Sequence, residues 1–331
     1  MPETNRQIIL ASRPPGIPSA DNFALRETPL TPLGDGEVRV RSHFLSLDPY
    51  MRGRMNEARS YAPPQPLGEV MGGGAAGVVV ESRNPAWTVG DKVVGMLGWQ
   101  EFATGGGGLV KVDDSRIPLS AYLGAVGMPG VTAWYGLNRI CRPKRGETVA
   151  VSAASGAVGS VVGQLAKRHG CRVVGIAGGR EKCGYVTGTL GFDACVDYRG
   201  GNLQAELDEA TPDGIDGYFD NVGGAALDAA MLRMNDFGRI AVCGAIAGYN
   251  GEPLAIHHPA RILRSRLLVQ GFIVSDHMAD WPAALAELGA LVADGRLLFR
   301  KSVAMGLASA PEAFIGMLRG ENFGKQLVRL V

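Results

Sequence analysis

Apolar residues follow two different spacings along the chain. From residue 5 to residue 125, short segments alternate apolar and polar positions, and proline or glycine separates them. Alternation with a period of two predicts half-buried β-strands. The strands predicted in this part are 6–10, 23–27, 37–44, 77–82, 91–96 and 102–104. Short strands at this spacing favour a compact, mostly β domain of the barrel or sandwich type.

The spacing then becomes helical, first over residues 119–141. There, Gly127 to Trp134 predicts the end of one helix and the start of another, with Thr132 in its first turn. From Thr148 onward, apolar strands alternate with amphipathic helices, which is typical of a parallel sheet with helices on both faces. The predicted strands are 149–151, 172–177, 194–197, 217–220, 239–243 and 267–274. The predicted helices are 158–168, 181–190, 203–209, 225–234, 259–265 and 281–294.

The last residues, 297–331, predict a strand, a helix and a strand that return to the first domain. The chain has 331 residues, which is enough for two domains with separate cores. The patterns therefore predict an α/β protein with a mostly β domain and a doubly wound parallel-sheet domain. The first comprises 1–125 and 297–331, and the second comprises 126–296.

The turn after the strand 149–151 is the strongest candidate for a ligand site. Gly156 has no Cβ, so its backbone can approach a pyrophosphate, and Gly159 allows the next helix to pack closely on the strand. The start of that helix offers free N–H groups and a positive dipole end. Ala154 replaces the first glycine of the G-x-G-x-x-G fingerprint, so an ordinary strand–helix turn is the alternative. The order of strand, turn, helix and strand favours a dinucleotide site.

The end of the second strand indicates which dinucleotide binds. NAD sites usually place an acidic residue about 20 positions after the glycine turn. Here Gly178 and Gly179 are followed by Arg180, Glu181 and Lys182. The two positive charges suit a 2′-phosphate, which predicts NADP(H). The alternative is that both are solvated charges at the start of a helix, and Glu181 points elsewhere if it lies on that helix.

Composition limits the classes of partner. The formal net charge is +1, which argues against nucleic acid or an anionic membrane as a general partner. The sequence has no apolar stretch of membrane-spanning length, and its polar start is not followed by a signal-type segment. A cytoplasmic location is therefore expected.

The cysteines and histidines give no metal motif. The chain has 5 of each, with no C-x-x-C and no H-x-x-x-H spacing. We therefore expect no metal and no dithiol motif, and we expect reduced, mostly buried thiols. A metal site assembled from distant residues is the alternative.

A further candidate lies at 48–55, where a turn begun by Pro49 carries one aromatic residue and two arginines. One interpretation is a capped helical turn with Tyr50 packed inside. The other places Tyr50 and Arg52 at a substrate cleft. The local sequence does not separate these two interpretations.

Seven segments together resemble the zinc-independent medium-chain dehydrogenases/reductases of the prostaglandin reductase and plant alkenal double-bond reductase type. They are 48–52, 127–133, 152–160, 219–224, 243–246, 271–274 and 322–325. The zinc-dependent branch carries an early cysteine and a Gly-His-Glu motif, whereas this chain has Ser46-Leu47-Asp48 and Gly68-Glu69-Val70. The resemblance implies a GroES-like mostly β domain, a Rossmann domain, no metal and a homodimer.

The resemblance also implies NADPH-dependent reduction of the carbon–carbon double bond of an α,β-unsaturated ketone or aldehyde. Tyr249 and Tyr50 resemble the hydroxyls that face the substrate carbonyl, and Arg52 is placed with them at the substrate. A hydrogen bond from Tyr249 would stabilise the enolate as it forms. The cofactor contacts expected from the glycine turn and the resemblance together are Met128, Thr132, Ser155, Gly156, Ala157, Val158, Gly159, Gly179, Lys182, Tyr198, Asn221, Cys243, Gly244, Ala245, Ile246, Tyr249, Phe272, Ile273, Val274 and Asn322.

Three alternatives to this activity remain open. They are a quinone reductase of the same superfamily, a non-catalytic NADPH-binding protein, and oxidation of an allylic alcohol. The range of substrates is not predicted, because Ser275-Asp276-His277 stands where relatives often carry bulkier aromatic residues.

Overall fold

The structure is a computed structural model that describes residues 4–331; residues 1–3 of the first predicted domain lie outside this range. The strands are β1 Thr4–Leu10, β2 Phe23–Pro29, β3 Val38–Ser46, β4 Ala75–Ser82, β5 Lys92–Gly95, β6 Phe102–Gly105, β7 Val110–Lys111, β8 Thr148–Ser152, β9 Arg172–Ala177, β10 Ala194–Asp197, β11 Ile215–Asp220, β12 Met234–Val242, β13 Leu268–Gly271, β14 Lys301–Met305 and β15 Lys325–Arg329. The α-helices are α1 Tyr50–Arg54, α2 Met128–Tyr135, α3 Gly159–Arg168, α4 Arg180–Gly188, α5 Leu203–Ala210, α6 Gly224–Arg233, α7 Ala260–Arg264, α8 Trp281–Ala293 and α9 Ala310–Leu318.

The chain divides into two compact units. The first runs to Leu123 and includes Lys301–Val331, and the second is Gly124–Arg300. No helix within residues 4–331 is both long enough and apolar enough to cross a membrane.

The first unit is built mainly of antiparallel strands. Its larger sheet has the order β14-β15-β3-β4-β5-β7, with β6 also paired to β3, and β1 and β2 form a separate pair. The C-terminal strand β15 lies inside this sheet, parallel to β14 and antiparallel to β3. The core beside it contains three aromatic rings, with Trp99 centred 5.7 Å from Phe23 and 5.6 Å from Phe314.

The second unit contains a six-stranded sheet in the order β10-β9-β8-β11-β12-β13, and every pair of neighbours is parallel. The chain begins in the middle, at β8, builds outward to β10, and then crosses to β11 on the other side. This reversal creates a crevice at the carboxyl ends of β8 and β11, where doubly wound folds bind their ligands. The predicted fold class, with one antiparallel-sheet domain and one doubly wound parallel-sheet domain, is confirmed.

Several predicted elements differ from the structure in their bounds, and two of them carry residues that are expected to contact the cofactor. The strand predicted over 267–274 ends at Gly271, and a 3-10 segment, Val274–Asp280, begins soon after it. The apolar run continues because Phe272 and Val274 bury their side chains, each 8% exposed, and not because the strand continues. The helix predicted to start near Thr132 starts at Met128, because Pro129 suits the first turn of a helix.

Candidate functional site

The glycine turn fixes the start of α3 at the end of β8. A Cβ at position 159 would lie 2.4 Å from the carbonyl oxygen of Ala153, so only glycine fits there. The N–H of Gly156 donates to the same oxygen over 2.8 Å, and Ser160 N–H donates to the Gly156 oxygen over 3.1 Å. The first N–H groups of a helix have no partner within it, and the dipole there is positive. The turn therefore forms an anion-binding helix start at the carboxyl edge of the sheet.

The ends of β9 and β10 form a second polar region. A Cβ at position 178 would lie 2.8 Å from the ring of Tyr198, so the tyrosine packs directly on the backbone of Gly178. The N–H of Gly179 donates to Asp197 Oδ1 over 2.7 Å, which joins the two strand ends. The N–H of Arg199 also donates to Asp197. The two hydrogen bonds, and the one from Gly179 most, lower the pKa of the Asp197 carboxyl group.

Two positive charges lie in this region. Burial lowers the pKa of Lys182, and the nearby charge of Arg199 lowers it further. The guanidinium carbon of Arg199 lies 5.8 Å from the centre of the Tyr198 ring. Glu181 lies on α4 and is directed elsewhere, since its carboxylate is 82% exposed and lies 3.8 Å from Arg300 Nη2. A bound phosphate would relieve the repulsion between Lys182 and Arg199.

A buried hydrogen-bond network joins the ends of β8 and β11. Ser152 Oγ donates to Asp220 Oδ1 over 3.0 Å and accepts from the N–H of Asn221 over 2.8 Å. Asn221 Nδ2 donates to the carbonyl oxygen of Ser152 over 2.8 Å. Burial raises the pKa of Asp220, although the N–H of Gly223 donates to it and opposes this effect. The network fixes the side chain of Asn221 at the crevice.

The loop after β12 holds Tyr249 beside this network. The N–H groups of Cys243 and Gly244 donate to the Asp220 carbonyl oxygen over 2.8 and 3.2 Å. The Tyr249 oxygen accepts a long bond of 3.4 Å from Ala245 N–H. Burial raises the pKa of Tyr249, so its hydroxyl keeps its proton at neutral pH.

The next residue of this loop, Asn250, was not predicted as a site residue. Its Oδ1 is buried and has no hydrogen-bond partner among residues 4–331. A buried acceptor without a donor is costly, and a bound molecule that supplies a donor would remove the cost. The acceptor therefore fits a ligand site beside Tyr249.

Two contacts anchor the rest of this loop. Leu254 packs on Gly248 and Gly223, where added Cβ atoms would lie 2.6 and 3.3 Å from its side chain. Asp228 on α6 accepts from the N–H of His257 over 2.9 Å, and its other oxygen lies 2.6 Å from His257 Nδ1. The segment that follows Tyr249 is thus attached to α6 at one carboxylate.

Five other predicted contacts lie around α2 and the end of β13, namely Met128, Thr132, Phe272, Ile273 and Val274. The Phe272 ring packs against the rings of Tyr135 and Phe219, with centres 5.4 and 6.2 Å away, so its side chain belongs to the core. A cofactor contact from 272–274 would therefore use the backbone of Phe272. The hydroxyl of Thr132 donates to the Met128 carbonyl oxygen over 2.7 Å, so its proton is used within the helix.

Tyr50 lies in the first unit, at the start of α1. Burial raises its pKa, and the charge of Asp48 raises it further. Asp48 forms a buried ion pair with Lys325, at 2.6 Å, and accepts a hydrogen bond from Ser46. The position of Tyr50 thus depends on a network that joins β3, α1 and β15.

Arg52 and Asn322 are the other predicted residues in the first unit. Arg52 is 2% exposed, and its two Nη atoms donate to Asn56 Oδ1 and the Gly16 carbonyl oxygen over 2.7 Å each. These bonds hold the turn around α1. Asn322 Nδ2 donates to the Gly324 carbonyl oxygen over 2.8 Å. Their contacts with substrate and cofactor stay predictions.

The second unit brings most of the predicted cofactor residues to one edge. Because its strands are parallel, the segments after β8, β9, β10, β11, β12 and β13 all lie at the carboxyl ends. Sequence reasoning missed Arg199 and Asn250. Arg199 could have been predicted because it is a positive charge next to Tyr198 in sequence, whereas nothing in the sequence pattern indicates Asn250.

The cysteines, histidines and acidic residues are the side chains that could bind a metal ion. Among residues 4–331, no three His, Cys, Asp or Glu side chains are grouped so that they could hold a metal ion. The expectation of mostly buried thiols is wrong, since only Cys141 and Cys171 are buried and the other three are partly exposed.

Comparisons with known proteins agree with this geometry. Residues 6–112 match the family described as the N-terminal domain of oxidoreductase, and residues 157–290 match the family described as zinc-binding dehydrogenase. The NADPH-dependent curcumin reductase of Escherichia coli is 44% identical, over 99% of this chain and 97% of its own length. Prostaglandin reductase 1 of Mus musculus is 45% identical, over 95% of each chain.

A solved structure gives the same result in three dimensions. CurA from Vibrio vulnificus, in complex with NADPH, superposes with a TM-score of 0.94 at 44% identity, over 98% of this chain and 99% of that one. Similarity at this level over the whole length shows the family. The chain belongs to the medium-chain dehydrogenases/reductases, in the enone reductase branch that includes curcumin reductase and prostaglandin reductase 1.

Proposed function

We propose that the protein uses NADPH to reduce the carbon–carbon double bond of α,β-unsaturated ketones and aldehydes. The observation that carries the proposal is the hydroxyl of Tyr249, which the loop after β12 holds at the carboxyl edge of the parallel sheet. Burial raises the pKa of Tyr249, and its oxygen accepts a long bond from Ala245 N–H. The names of the relatives, curcumin reductase and prostaglandin reductase, support this class of substrate.

The cofactor part of the proposal rests on charge and on close backbone approach. The helix start at Gly159 would hold the pyrophosphate, and Lys182, Arg199 and Tyr198 would hold the 2′-phosphate. Bound NADPH supplies the hydride that reaches the β-carbon of the enone. The unpaired acceptor of Asn250 would receive a donor from the bound cofactor or substrate.

Tyr249 would act on the substrate oxygen. As the β-carbon is reduced, negative charge builds on the carbonyl oxygen, and a donor already in place stabilises it without reorganisation. A tyrosine with a raised pKa is suited to this role because it donates a hydrogen bond and remains neutral. The network of Ser152, Asp220 and Asn221 would hold the loop carrying Tyr249 in register with the crevice.

The assignment of roles to the two parts of the chain belongs to the same proposal. The residues 126–296 would bind NADP(H), and the residues 1–125 with 297–331 would contribute Tyr50 and Arg52 to the substrate. The proposal also includes a homodimeric assembly and a cytoplasmic location. Light scattering of the purified protein tests the first, and cell fractionation tests the second.

Turnover with a panel of acceptors tests the function. Loss of the reduced-nicotinamide absorbance is followed with a long-chain 2-alkenal, a cyclic enone, a 15-keto-type enone and a benzoquinone. Each reaction is repeated with NADH and with a chelator. We expect loss that needs an enone or enal, prefers NADPH and is unchanged by the chelator.

The other outcomes would contradict the proposal in different ways. Activity with the benzoquinone alone would indicate a quinone reductase. Tight NADPH binding without turnover on any acceptor would indicate a binding protein. NADP⁺ reduction by an allylic alcohol without enone reduction would indicate the reverse chemistry.

A further inference from the structure

Two of the five cysteines lie side by side in the second unit. Cys183 is on α4, Cys195 is on β10, and their Sγ atoms are 3.1 Å apart. Both are free and partly exposed. The S–S bond of a disulfide is about 2.0 Å long, so a movement of about 1 Å would bring the two sulfurs to bonding distance.

This pair lies between the two strand ends that carry the candidate 2′-phosphate site. Cys183 directly follows Lys182 in the first turns of α4. Cys195 is two residues before Asp197, whose Oδ1 accepts from the N–H groups of Gly179 and Arg199 over 2.7 and 3.0 Å. A bond between the two sulfurs would therefore connect the elements that hold Lys182 and Arg199.

We propose that Cys183 and Cys195 form a reversible disulfide that lowers the affinity for NADPH. Closing the last 1 Å would pull α4 toward β10 and change the spacing of the positive charges around the 2′-phosphate. The effect on NADPH rests on the cofactor site proposed above, whereas formation of the bond does not. Transient disulfides of this kind are compatible with a reducing compartment.

The chemistry needs an oxidant, and hydrogen peroxide supplies it. The thiolate of Cys183 attacks one peroxide oxygen, which leaves a sulfenic acid and releases hydroxide, protonated to water. The sulfur of Cys195 then attacks the sulfenic sulfur, forms the S–S bond and expels a second water. Two thiols and one peroxide thus give one disulfide and two waters, with two electrons passing to the peroxide.

The hydrogen bond between the thiols decides which one attacks. The Cys195 thiol donates to the Cys183 sulfur. Burial raises the pKa of Cys183, and this hydrogen bond opposes the rise. Burial also raises the pKa of Cys195, and the same bond adds to that rise. Cys183 is therefore the nucleophile, and oxidation should speed up as the pH rises above neutral, because the thiolate reacts.

The bond is tested by mass spectrometry on the full chain. The reduced protein is treated with hydrogen peroxide, remaining thiols are alkylated after denaturation, and the digest is analysed without reductant. We expect a peptide that joins Cys183 to Cys195, its reversal by dithiothreitol, and alkylation of Cys141, Cys171 and Cys243. In a thiol–disulfide redox buffer, NADPH should shift the equilibrium toward the two thiols, because coupling between two sites is reciprocal.

The consequence for the cofactor is measured by direct binding of NADPH and NADH to the reduced and oxidised protein. We expect the NADPH Kd to rise by roughly 5- to 150-fold, the usual range for coupled sites, while the NADH Kd changes by less than about twofold. The matched variants Cys183→Ser and Cys195→Ser should show neither the linked peptide nor the change in Kd after peroxide.

Two outcomes would overturn the inference. One is the absence of the linked peptide in wild type after peroxide, at neutral and at alkaline pH. The other is a linked protein that binds NADPH as tightly as the reduced form. Because both readouts are independent of turnover, a failure of the proposed enone reduction would be recognised separately.

Discussion

At the scale of single residues, the expected preference for NADPH over NADH depends on the charge of Lys182. Lys182→Ala would remove the proposed charged contact to the 2′-phosphate, and hydrogen bonds to charged groups contribute about 1.5–3 kcal/mol. We expect the KM for NADPH to rise by roughly 10-fold or more, with the KM for NADH changed by less than about twofold. Steady-state kinetics with both cofactors measures this difference.

The matched control is Lys167→Ala. Lys167 lies in the last turn of α3, in the same unit as Lys182, and its Nζ is 2.9 Å from Asp193 Oδ2. It should leave both KM values unchanged. Equal increases for NADPH and NADH in the Lys182 variant would refute the phosphate assignment.

The proposed stabilisation of the substrate oxyanion depends on the hydroxyl of Tyr249. Tyr249→Phe keeps the ring and removes the hydroxyl, so the proposed stabilisation of the developing oxyanion is lost together with the long bond from Ala245 N–H. We expect kcat to fall by roughly 10- to 1000-fold, with the NADPH Kd nearly unchanged. Because burial raises the pKa of Tyr249 above its ordinary value, the hydroxyl should not ionise between about pH 7 and about pH 9. The wild-type kcat should therefore show no loss from Tyr249 in that range.

The same hydroxyl deletion in Tyr185→Phe serves as the control. Tyr185 lies on α4, with the guanidinium carbon of Arg300 5.6 Å from its ring centre. Its kcat should match that of the wild type. Unchanged turnover in Tyr249→Phe would remove Tyr249 from the mechanism.

Residues like Asn250 and His257 show what the pattern of the chain leaves out. The partner of His257 is Asp228, 29 positions earlier on another element. Pairings at this distance depend on the folded loop, and no local spacing encodes them. The glycine turn and Lys182 could be proposed from the sequence because the residues next to them in sequence are also next to them in space.

At the scale of elements, the sequence predicts the strands of the parallel sheet unevenly. The predicted strands 172–177 and 194–197 coincide with β9 and β10. The strand β13 is predicted less well, because it is exposed along its length and the apolar run continues beyond it. Apolar residues report burial, and after Gly271 burial does not distinguish a strand from a packed loop.

The loop between β12 and α7 is attached to α6 through one carboxylate. Its attachment to α6 depends on Asp228, which binds both the backbone and the ring of His257. Asp228→Ala should loosen the loop and lower kcat by about 3- to 10-fold, as expected for loss of about 1 kcal/mol of positioning. Asp228→Asn keeps an acceptor for the backbone and should lower it less.

A larger loss of kcat in Asp228→Ala than in Asp228→Asn would indicate that the carboxylate positions the loop. A control variant is needed to separate this effect from a general loss of stability. Asp208→Ala is the control, because Asp208 also forms a partly exposed ion pair on a neighbouring helix, with Arg233 at 3.4 Å. It should leave kcat unchanged. Equal kcat values in all three variants and the wild type would show that the loop does not need its attachment to α6.

At the scale of the whole molecule, the C-terminal residues complete the first unit, because β15 lies between β14 and β3. Lys325 on this strand and Asp48 are each 5% exposed and form an ion pair. Removal of one partner leaves a buried charge. Lys325→Met should therefore lower the free energy of unfolding by about 3–5 kcal/mol.

Denaturant unfolding measures this loss, and a double variant supplies the control. Asp48→Asn combined with Lys325→Met removes both charges and should recover part of the stability. A double variant as unstable as the sum of the two single variants would show that the pair has no special role.

The central claim, hydride delivery to the β-carbon of an enone, is tested most directly by isotope transfer. NADPH carrying deuterium at the reactive position of the nicotinamide is incubated with the enzyme and an enone, and the product is analysed by NMR. We predict a saturated ketone with the carbonyl intact and deuterium on the β-carbon. Deuterium on the carbonyl carbon, as in an allylic alcohol, would contradict this account of the protein.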